Sequence, residues 1–310
     1  MKVTFVTVNH RPWYDHMFPF VLHVRHKYKE DILGSFLDGY KPKDEVVVVY
    51  GDANVMNLSG LNTDKVFVMH DSPLIDCYTI SRLNQNWTWI PSSNFDKEIL
   101  ENCNVKNITE VIPKPYKLYE FTKSPKKYDL MINLTQPQRK GHDRLVKVLE
   151  NLDKFISRPL NILAIVPAEI QIFFLRFENL KITFRIPASR PMSEHLSEIS
   201  SARINLFSSY VEGIGLSPIE SALLNQQLVM GDIEATNEFV EGNFADIVEY
   251  KVVQWHPNPH YFLFQIWDQT QFLDLTLKAL EDPSFNIPKL IRPEILDFDY
   301  LWNRIKSVIS

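Results

Sequence analysis

Cysteine is nearly absent from this chain, since Cys77 and Cys103 are the only two among 310 residues. Two cysteines are too few for a disulfide framework or a zinc site, which favours a reducing compartment. Long apolar runs are also missing: the richest, residues 160–166, is far shorter than the ~20 residues of a membrane-spanning helix. Residues 1–10 contain too short an apolar run for a signal peptide. We therefore expect a cytoplasmic protein.

The chain also lacks a large excess of positive or negative charge. Charged residues make up 23% of the chain, and the net charge is -5. A protein that binds DNA or RNA usually carries a basic footprint, so we expect no nucleic-acid partner. A phosphate-bearing ligand would have to be held by local positive groups, because the chain as a whole supplies no attracting field.

What is present is enough apolar material for two domains. The chain is 45% hydrophobic, and its length corresponds to about two domains of ~150 residues. Short β-branched runs alternate with helical stretches in both halves, and a cluster of prolines (Pro113, Pro115 and Pro125) separates the halves. This pattern predicts an α/β fold with two Rossmann-like, doubly wound parallel-sheet domains facing across a cleft. The predicted divisions are residues 1–115, residues 116–290 and a C-terminal helix, 291–310, that packs back on the first domain.

The individual elements follow the same alternation in each half. In the first half we expect strands at 3–8, 45–49, 65–69, 87–90 and 109–112, and helices at 13–29 and 94–103. In the second half we expect strands at 129–134, 160–166, 180–186, 203–207 and 227–230, and helices at 142–156, 168–178, 192–201 and from Ser217. The remainder, 260–310, is expected to be mostly helical.

The segment 208–220 carries the clearest functional pattern, because it joins a predicted strand to a predicted helix. Gly213 and Gly215 let a ligand approach the backbone, and the N-terminus of the next helix offers N–H groups that suit a phosphate. Glu212 and Glu220 bracket this loop with seven residues between them, and they suit the hydroxyl groups of a sugar and a ribose. Ser217 and Glu220 also match a capping box, which would make Glu220 structural. From the residues alone, both interpretations stay open.

Two further candidates follow predicted strands. Lys140, with Arg139 beside it, precedes Gly141 and a predicted helix, where an anion would lie near a helix N-terminus. His70 ends another predicted strand. Taken alone, the two cations fit a solvated basic loop and His70 fits the cap of a following helix.

Several blocks of the sequence, in the same order, resemble the retaining family-4 glycosyltransferases. Segment 208–220 resembles the E-x7-E signature of that family, and residues 227–238 (QLVMGDIEATNE) resemble the stretch that follows it. Residues 128–152 resemble the strand, Lys-Gly loop and helix that open the donor domain. Residues 90–113 and 66–71 (VFVMHD) resemble two stretches of the acceptor domain.

The resemblance implies a catalytic role for three residues. Glu212 would contact the donor sugar, Lys140 would neutralise the diphosphate leaving group, and His70 would line the donor–acceptor junction. The family usually has an arginine shortly before the lysine, but this chain has Leu134 and Thr135 there. The glycine-rich first loop of the acceptor domain is missing as well.

The resemblance also implies which residues hold the donor. Glu220 would accept hydrogen bonds from the ribose, and Arg139 is the candidate substitute for the missing arginine. The diphosphate would lie against the backbone of Gly213, Ile214, Gly215 and Leu216.

The activity implied is that of a retaining, metal-independent hexosyltransferase that needs no cofactor. Its donor substrate would be a nucleotide sugar such as a UDP-, GDP- or ADP-hexose, and its acceptor a glycan, a lipid-linked molecule or a protein. Transfer would take a front-face route, with charge stabilisation by Lys140 and the loop amides. Two alternatives stay open: a non-catalytic or degenerate protein that binds a sugar nucleotide or glycan, and a sugar-nucleotide epimerase on the same scaffold.

Two other segments have an alternative structural explanation. Segment 13–29, which is rich in aromatic and basic residues, fits either a packed amphipathic helix, which we favour, or an interfacial helix in peripheral contact with a membrane. Asp297 and Asp299 match the D-x-D metal motif of another glycosyltransferase fold, but their place near the C-terminus favours the start of a helix.

Overall fold

A computed structural model describes residues 2–7, 16–29, 31–36, 45–50, 61, 63–70, 77, 80, 83, 86–187, 191–255 and 260–310. The chain divides into two compact units. The N-terminal unit comprises Met1–Leu118, Val253–Phe262 and Arg292–Ser310, and the C-terminal unit comprises Tyr119–Val252 and Leu263–Ile291. Each unit is built on a parallel sheet of its own.

The strands and helices alternate along most of the chain. The strands are β1 (Val3–Thr7), β2 (Ile32–Phe36), β3 (Val46–Tyr50), β4 (Val66–His70), β5 (Thr88–Pro91), β6 (Tyr128–Asn133), β7 (Leu160–Ile165), β8 (Leu180–Arg185), β9 (Ala202–Phe207), β10 (Gln227–Met230), β11 (Val240–Glu241), β12 (Ile247–Trp255), β13 (His260–Trp267) and β14 (Lys289–Leu290). The α-helices are α1 (Phe18–Tyr28), α2 (Asn94–Asn102), α3 (His142–Phe155), α4 (Met192–Ile199), α5 (Leu216–Leu224), α6 (Glu234–Asn237), α7 (Gln269–Glu281) and α8 (Phe298–Ile309). Ala168–Phe174 and Pro293–Leu296 form 3-10 helices.

The sheet of the N-terminal unit has the strand order β2-β1-β3-β4-β5, with every neighbouring pair parallel. Its central strand, β3, is buried along its whole length. A run of valines covered on both faces is typical of the interior of a parallel sheet. The short valine-rich runs of the sequence therefore become the middle of this sheet.

Helices α1 and α8 pack against each other beside this sheet. The α1 residues Phe20, Val21 and Val24 are buried, and the ring of Phe20 meets that of Phe298 edge-on at 5.4 Å. The apolar side of α1 therefore packs against the core, which agrees with the prediction of a packed amphipathic helix. Peripheral membrane contact of segment 13–29 stays a prediction, and Trp13 lies outside the described residues.

The start of α8 explains the D-x-D match. Asp297 caps the helix, because its carboxylate accepts hydrogen bonds from the backbone N–H groups of Asp299 and Tyr300 at 2.9 and 3.0 Å. Asp299 accepts hydrogen bonds from Lys27 and Tyr28 of α1. Asp297 therefore caps α8 and Asp299 joins α8 to α1, as expected for structural residues at the start of a helix.

The sheet of the C-terminal unit has the strand order β10-β9-β6-β7-β8, again parallel throughout. Helices α3, α4 and α5 connect its strands. The fold class predicted from the sequence, two Rossmann-like parallel-sheet domains, is confirmed.

Several local predictions were wrong. Strand β2 contains Gly34 and Ser35, which disfavour strands, and the sequence did not indicate it. Residues 109–112 make parallel backbone hydrogen bonds to β5 without forming a strand, and residues 168–174 form a 3-10 helix where an α-helix is predicted. The stretch expected to be helical from residue 260 begins with strand β13, which pairs with β12.

Cys77 and Cys103, for which the sequence indicates no disulfide framework, are joined by a disulfide with their Cα atoms 4.7 Å apart. Cysteine usage therefore no longer favours a reducing compartment, and the cytoplasm stays a prediction. Among the helices that the described residues form, none combines the length and apolarity that crossing a bilayer requires.

Candidate functional site

The candidate site lies where the strand order of the C-terminal sheet reverses direction. Strands β6 and β9 are neighbours, yet the chain leaves β6 towards β7 on one side and leaves β9 towards β10 on the other. Doubly wound sheets bind ligands at the carboxyl edge of the sheet, beside the two strands where the order reverses. Here the loops after these two strands are residues 134–141, which lead into α3, and residues 208–215, which lead into α5.

Close backbone packing holds the two loops together. The Tyr210 N–H donates to the Arg139 carbonyl at 2.9 Å, and the Ser208 hydroxyl donates to the Lys140 carbonyl at 2.6 Å. The Tyr210 hydroxyl donates to Asp143 on α3 at 2.7 Å. Gly141 has φ +63°, and a β-carbon there would clash with the Ser208 carbonyl oxygen. Only glycine therefore allows this approach of the loops.

The packed loops bring two cations to one carboxylate. Lys140 Nζ donates to Glu212 Oε1, and Arg139 Nη2 lies 3.8 Å from Glu212 Oε2. The Ser209 hydroxyl donates to Glu212 Oε1 at 2.6 Å. The Arg139 Nε atom is buried and has no hydrogen-bond partner among the described residues.

Burial and charge act in opposite directions on this cluster. Glu212 is 7% exposed. Burial alone would raise the pKa of Glu212, but the charges of Lys140 and Arg139 and hydrogen bonds from Lys140 and Ser209 outweigh it and hold that pKa below its usual value. Burial lowers the pKa of the Lys140 amine, and the attraction of Glu212 opposes this. Glu212 is therefore a carboxylate kept ionised by two cations.

The N-terminus of α5 lies at the end of the second loop. Gly215 is the N-cap residue, with φ +74°, and no side chain among the described residues caps the helix. The first N–H groups of a helix have no partner within it and carry a partial positive charge, so this end suits an anion. Of the backbone atoms predicted to hold a diphosphate, those of Gly213, Ile214 and Gly215 lie in the loop, and Leu216 begins the helix.

The capping-box interpretation of Ser217 and Glu220 is wrong. Helix α5 begins at Leu216, one position before Ser217, so the serine is already inside the helix. Its hydroxyl accepts a hydrogen bond from Asn205 at 3.0 Å. Glu220 lies one turn further on, is 5% exposed, and approaches His195 of α4, whose Nε2 is 3.6 Å from Glu220 Oε2.

His70 belongs to the N-terminal unit, at the carboxyl end of β4. Its ring is fully buried, with Nδ1 3.4 Å from Asp96 Oδ1 and an edge-on contact to Trp89 at 5.8 Å between centroids. The Ser92 hydroxyl donates to the His70 carbonyl at 2.7 Å. This packing agrees with a structural histidine that ties β4 to α2. Asp71, which follows it in the sequence, lies outside the described residues.

The structure therefore brings together the candidates of the C-terminal unit. Arg139, Lys140, Glu212 and the loop 213–216 lie around one switch point, with Glu220 on α5 beside them. Sequence reasoning missed the residues that hold them: Ser209, Tyr210 and Asp143. Their signal was weak, because a serine, a tyrosine and an aspartate beside glycines are common in any loop. The described residues contain no group of three or more histidine, cysteine, aspartate or glutamate side chains arranged to hold a metal ion.

Two parallel-sheet Rossmann-like domains place the chain in the GT-B fold of glycosyltransferases. The chain is similar to the lipopolysaccharide outer core galactosyltransferase WaaB, with 12% identity over 99% of both chains and a TM-score of 0.59. It is similar to HepE from Anabaena, solved with UDP and glucose, with 11% identity over 100% of this chain and 99% of that one and a TM-score of 0.57.

A third similar structure is a mutant of TarM from S. aureus, solved with fondaparinux, α-GlcNAc-glycerol and UDP. Its identity is 13% and its TM-score 0.57, over 94% of this chain and 58% of that one. The chain thus spans little more than half the length of TarM, and at these identities the likeness shows a shared fold. No protein-family model and no curated protein matches the sequence.

Proposed function

We propose that this chain is a glycosyltransferase that moves a sugar from a nucleoside-diphosphate sugar to an acceptor hydroxyl group, with retention of the anomeric configuration. UDP is the first donor nucleotide to test, because the similar TarM and HepE structures contain UDP. The acceptor in this proposal is a glycan, either free or linked to a lipid or a protein.

The observation that carries this proposal is the meeting of Lys140 and Arg139 at the buried carboxylate of Glu212, beside the uncapped N-terminus of α5. Two cations and a helix N-terminus offer a diphosphate both charge and hydrogen-bond donors. The buried Arg139 Nε, which has no hydrogen-bond partner among the described residues, is a further donor at that place. A carboxylate next to them is suited to accept hydrogen bonds from sugar hydroxyls.

In this proposal the same cluster binds the two parts of the donor in order, the diphosphate first and the sugar second. In the free protein Glu212 neutralises Lys140, so neither group is available to a ligand. A diphosphate competes for Lys140 with its own negative charge, and Glu212 then becomes free to accept hydrogen bonds from the sugar. Recognition of the sugar would therefore depend on prior recognition of the diphosphate.

The chemical step in this proposal is a front-face displacement. The bond from the anomeric carbon to the diphosphate oxygen breaks while the bond to the acceptor oxygen forms on the same face, and a diphosphate oxygen takes the acceptor proton. Lys140, Arg139 and the amides of the 213–216 loop stabilise the charge that develops on the leaving diphosphate. Because these groups supply the positive charge, we propose that the reaction proceeds without a metal ion.

The cytoplasm is kept as the proposed compartment. The redox state of Cys77 and Cys103 in protein isolated under thiol-blocking conditions tests it, since a stable disulfide indicates an oxidising compartment.

A transfer assay tests the proposed activity. Wild-type protein is incubated with UDP-, GDP- and ADP-hexoses and a panel of glycans in the presence of EDTA, and nucleotide release and the anomeric NMR signals of the product are recorded. We expect release from one donor with a product of unchanged anomeric configuration. Lys140→Met should lower the rate about 100-fold or more. Lys147→Met, at an exposed lysine of α3, is the matched control and should leave the rate unchanged. Equal rates for both variants would contradict the role of Lys140.

A further inference from the structure

Thr236 has a buried hydroxyl directly behind the loop that leads into α5. It lies in the short helix α6, and its side chain is fully withdrawn from solvent. Among the described residues, its Oγ1 has no hydrogen-bond partner. Buried hydroxyl groups are nearly always hydrogen-bonded, because leaving one unpaired costs stability that a valine of the same shape would not cost. A threonine at this position therefore calls for an explanation.

The side chain of Thr236 points at the N-cap of α5. A β-carbon added to Gly215 would lie 2.5 Å from Thr236 Oγ1 and 3.0 Å from Thr236 Cγ2. The Thr236 hydroxyl thus packs directly against the N-cap residue of α5, a helix end that no described side chain caps. Only glycine at position 215 leaves room for the Thr236 side chain at this place.

We propose that Thr236 is a binding residue for the diphosphate: its hydroxyl donates to a phosphate oxygen held at the N-terminus of α5. This inference rests on the proposed function. The Thr236 hydroxyl is buried, and so are Glu212 and Gly215 in the loop beside it. Because the 213–215 loop is buried, a diphosphate must displace it to bind here, and in this proposal that displacement opens Thr236 Oγ1 to the ligand. The unpaired hydroxyl of the free protein then gains its partner.

The chain offers a matched control in Thr276. This threonine of α7 is also fully buried in the C-terminal unit, but its hydroxyl donates to the Phe272 carbonyl at 2.8 Å within its own helix. Replacement by valine removes one buried hydroxyl at either position. At Thr276 the change removes a hydrogen bond of the free protein, whereas at Thr236 it removes a group that has no hydrogen bond among the described residues.

The two valine variants should therefore behave in opposite ways. For Thr236→Val we expect a melting temperature equal to or above that of wild type, and a dissociation constant for UDP raised about tenfold. For Thr276→Val we expect a lower melting temperature and an unchanged dissociation constant. Thr236→Ser, which keeps the hydroxyl, should bind UDP within about threefold of wild type. Calorimetric titration with UDP and thermal unfolding give both quantities for every variant.

Two results would overturn the inference, and they are distinguishable from each other. If wild type binds UDP and Thr236→Val binds it equally tightly, Thr236 does not touch the diphosphate and the proposed function stands. If folded wild type binds none of UDP, GDP and ADP, the proposed function is wrong and the inference about Thr236 fails with it.

Discussion

Lys140 Nζ donates a hydrogen bond to Glu212 Oε1 across 72 residues of sequence, and this contact joins the two loops at the switch point of the C-terminal sheet. The two side chains are only 12% and 9% exposed. A buried charge that loses its partner is strongly destabilising, so each of these groups depends on the other in the free protein. A ligand that enters this place must supply a replacement for the contact that it breaks.

The first prediction concerns the stability of this pair. Glu212→Gln keeps the shape of the side chain but leaves the Lys140 ammonium buried without its charged neighbour, and it should lower the free energy of unfolding by about 3–5 kcal/mol. Adding Lys140→Met should restore part of that loss, because the unpaired cation is then gone. Urea unfolding of both single variants and the double variant gives the coupling energy. If the losses of unfolding free energy in the two single variants add up to that of the double variant, the coupling energy between Lys140 and Glu212 is zero and the prediction is wrong.

The second prediction concerns Gly141. Gly141→Ala must adopt a left-handed backbone at φ +63° and place a β-carbon against the Ser208 carbonyl oxygen, so it should cost about 2 kcal/mol or more and separate the two loops. Asn225→Gly is the control, because Asn225 already has φ 49° at the end of α5. That change should alter the free energy of unfolding by less than about 1 kcal/mol. Equal stability of Gly141→Ala and wild type would contradict the close packing of the loops.

The third prediction concerns pH. Hydrogen bonds from Lys27 and His23 lower the pKa of Asp299 to about 2. A carboxyl group whose pKa is lower in the folded than in the unfolded state stabilises the fold above its unfolded pKa of about 3.9, and this stabilisation is lost as the pH falls through about 2. Asp299→Asn should therefore be less stable than wild type by up to about 1 kcal/mol at pH 7.

The difference between Asp299→Asn and wild type should shrink below pH 4 and vanish near pH 2. Urea unfolding at a series of pH values measures it, with Asp274→Asn, at an exposed position of α7, as the control. A difference that persists unchanged at pH 2 would show that Asp299 acts through packing and not through its charge.

The fourth prediction concerns recognition of the ribose. If Glu220 accepts hydrogen bonds from ribose hydroxyls, Glu220→Gln should weaken UDP binding about tenfold, because a neutral amide replaces a charged acceptor. The same variant should bind 2′,3′-dideoxy-UDP nearly as wild type does, since that ligand has no hydroxyls to donate. Glu178→Gln, at an exposed glutamate, is the control. Equal weakening towards both nucleotides would place Glu220 away from the ribose.

Sequence reasoning predicted the second sheet well, because each of its strands is a distinct apolar run followed by a helical stretch. It also predicted that residues 139–140 and 212–216 lie at ends of strands. The family resemblance implied that both segments act on one donor, but the residues alone could not show that the segments meet, because the order of strands in a parallel sheet depends on tertiary packing. The adjacency of β6 and β9, and with it the contact between Lys140 and Glu212, is a property of that order.

Other failures have local causes. The capping box was wrong because Gly215 adopts a left-handed conformation and starts α5 one residue before Ser217. Strand β2 was missed because Gly34 and Ser35 conceal its strand character. Nothing in the sequence distinguishes Thr236, since an unpaired hydroxyl is recognised only once its neighbours in space are known.

The most direct test of the central claim is a calorimetric titration of UDP, GDP and ADP into wild type, Glu212→Ala and Glu220→Ala. We expect wild type to bind one of the three nucleotides selectively and Glu220→Ala to bind it more weakly, which would locate the nucleotide at the C-terminal switch point. Folding of each variant is checked by circular dichroism before titration. Failure of well-folded wild type to bind any of the three would contradict the assignment of a donor site to these residues.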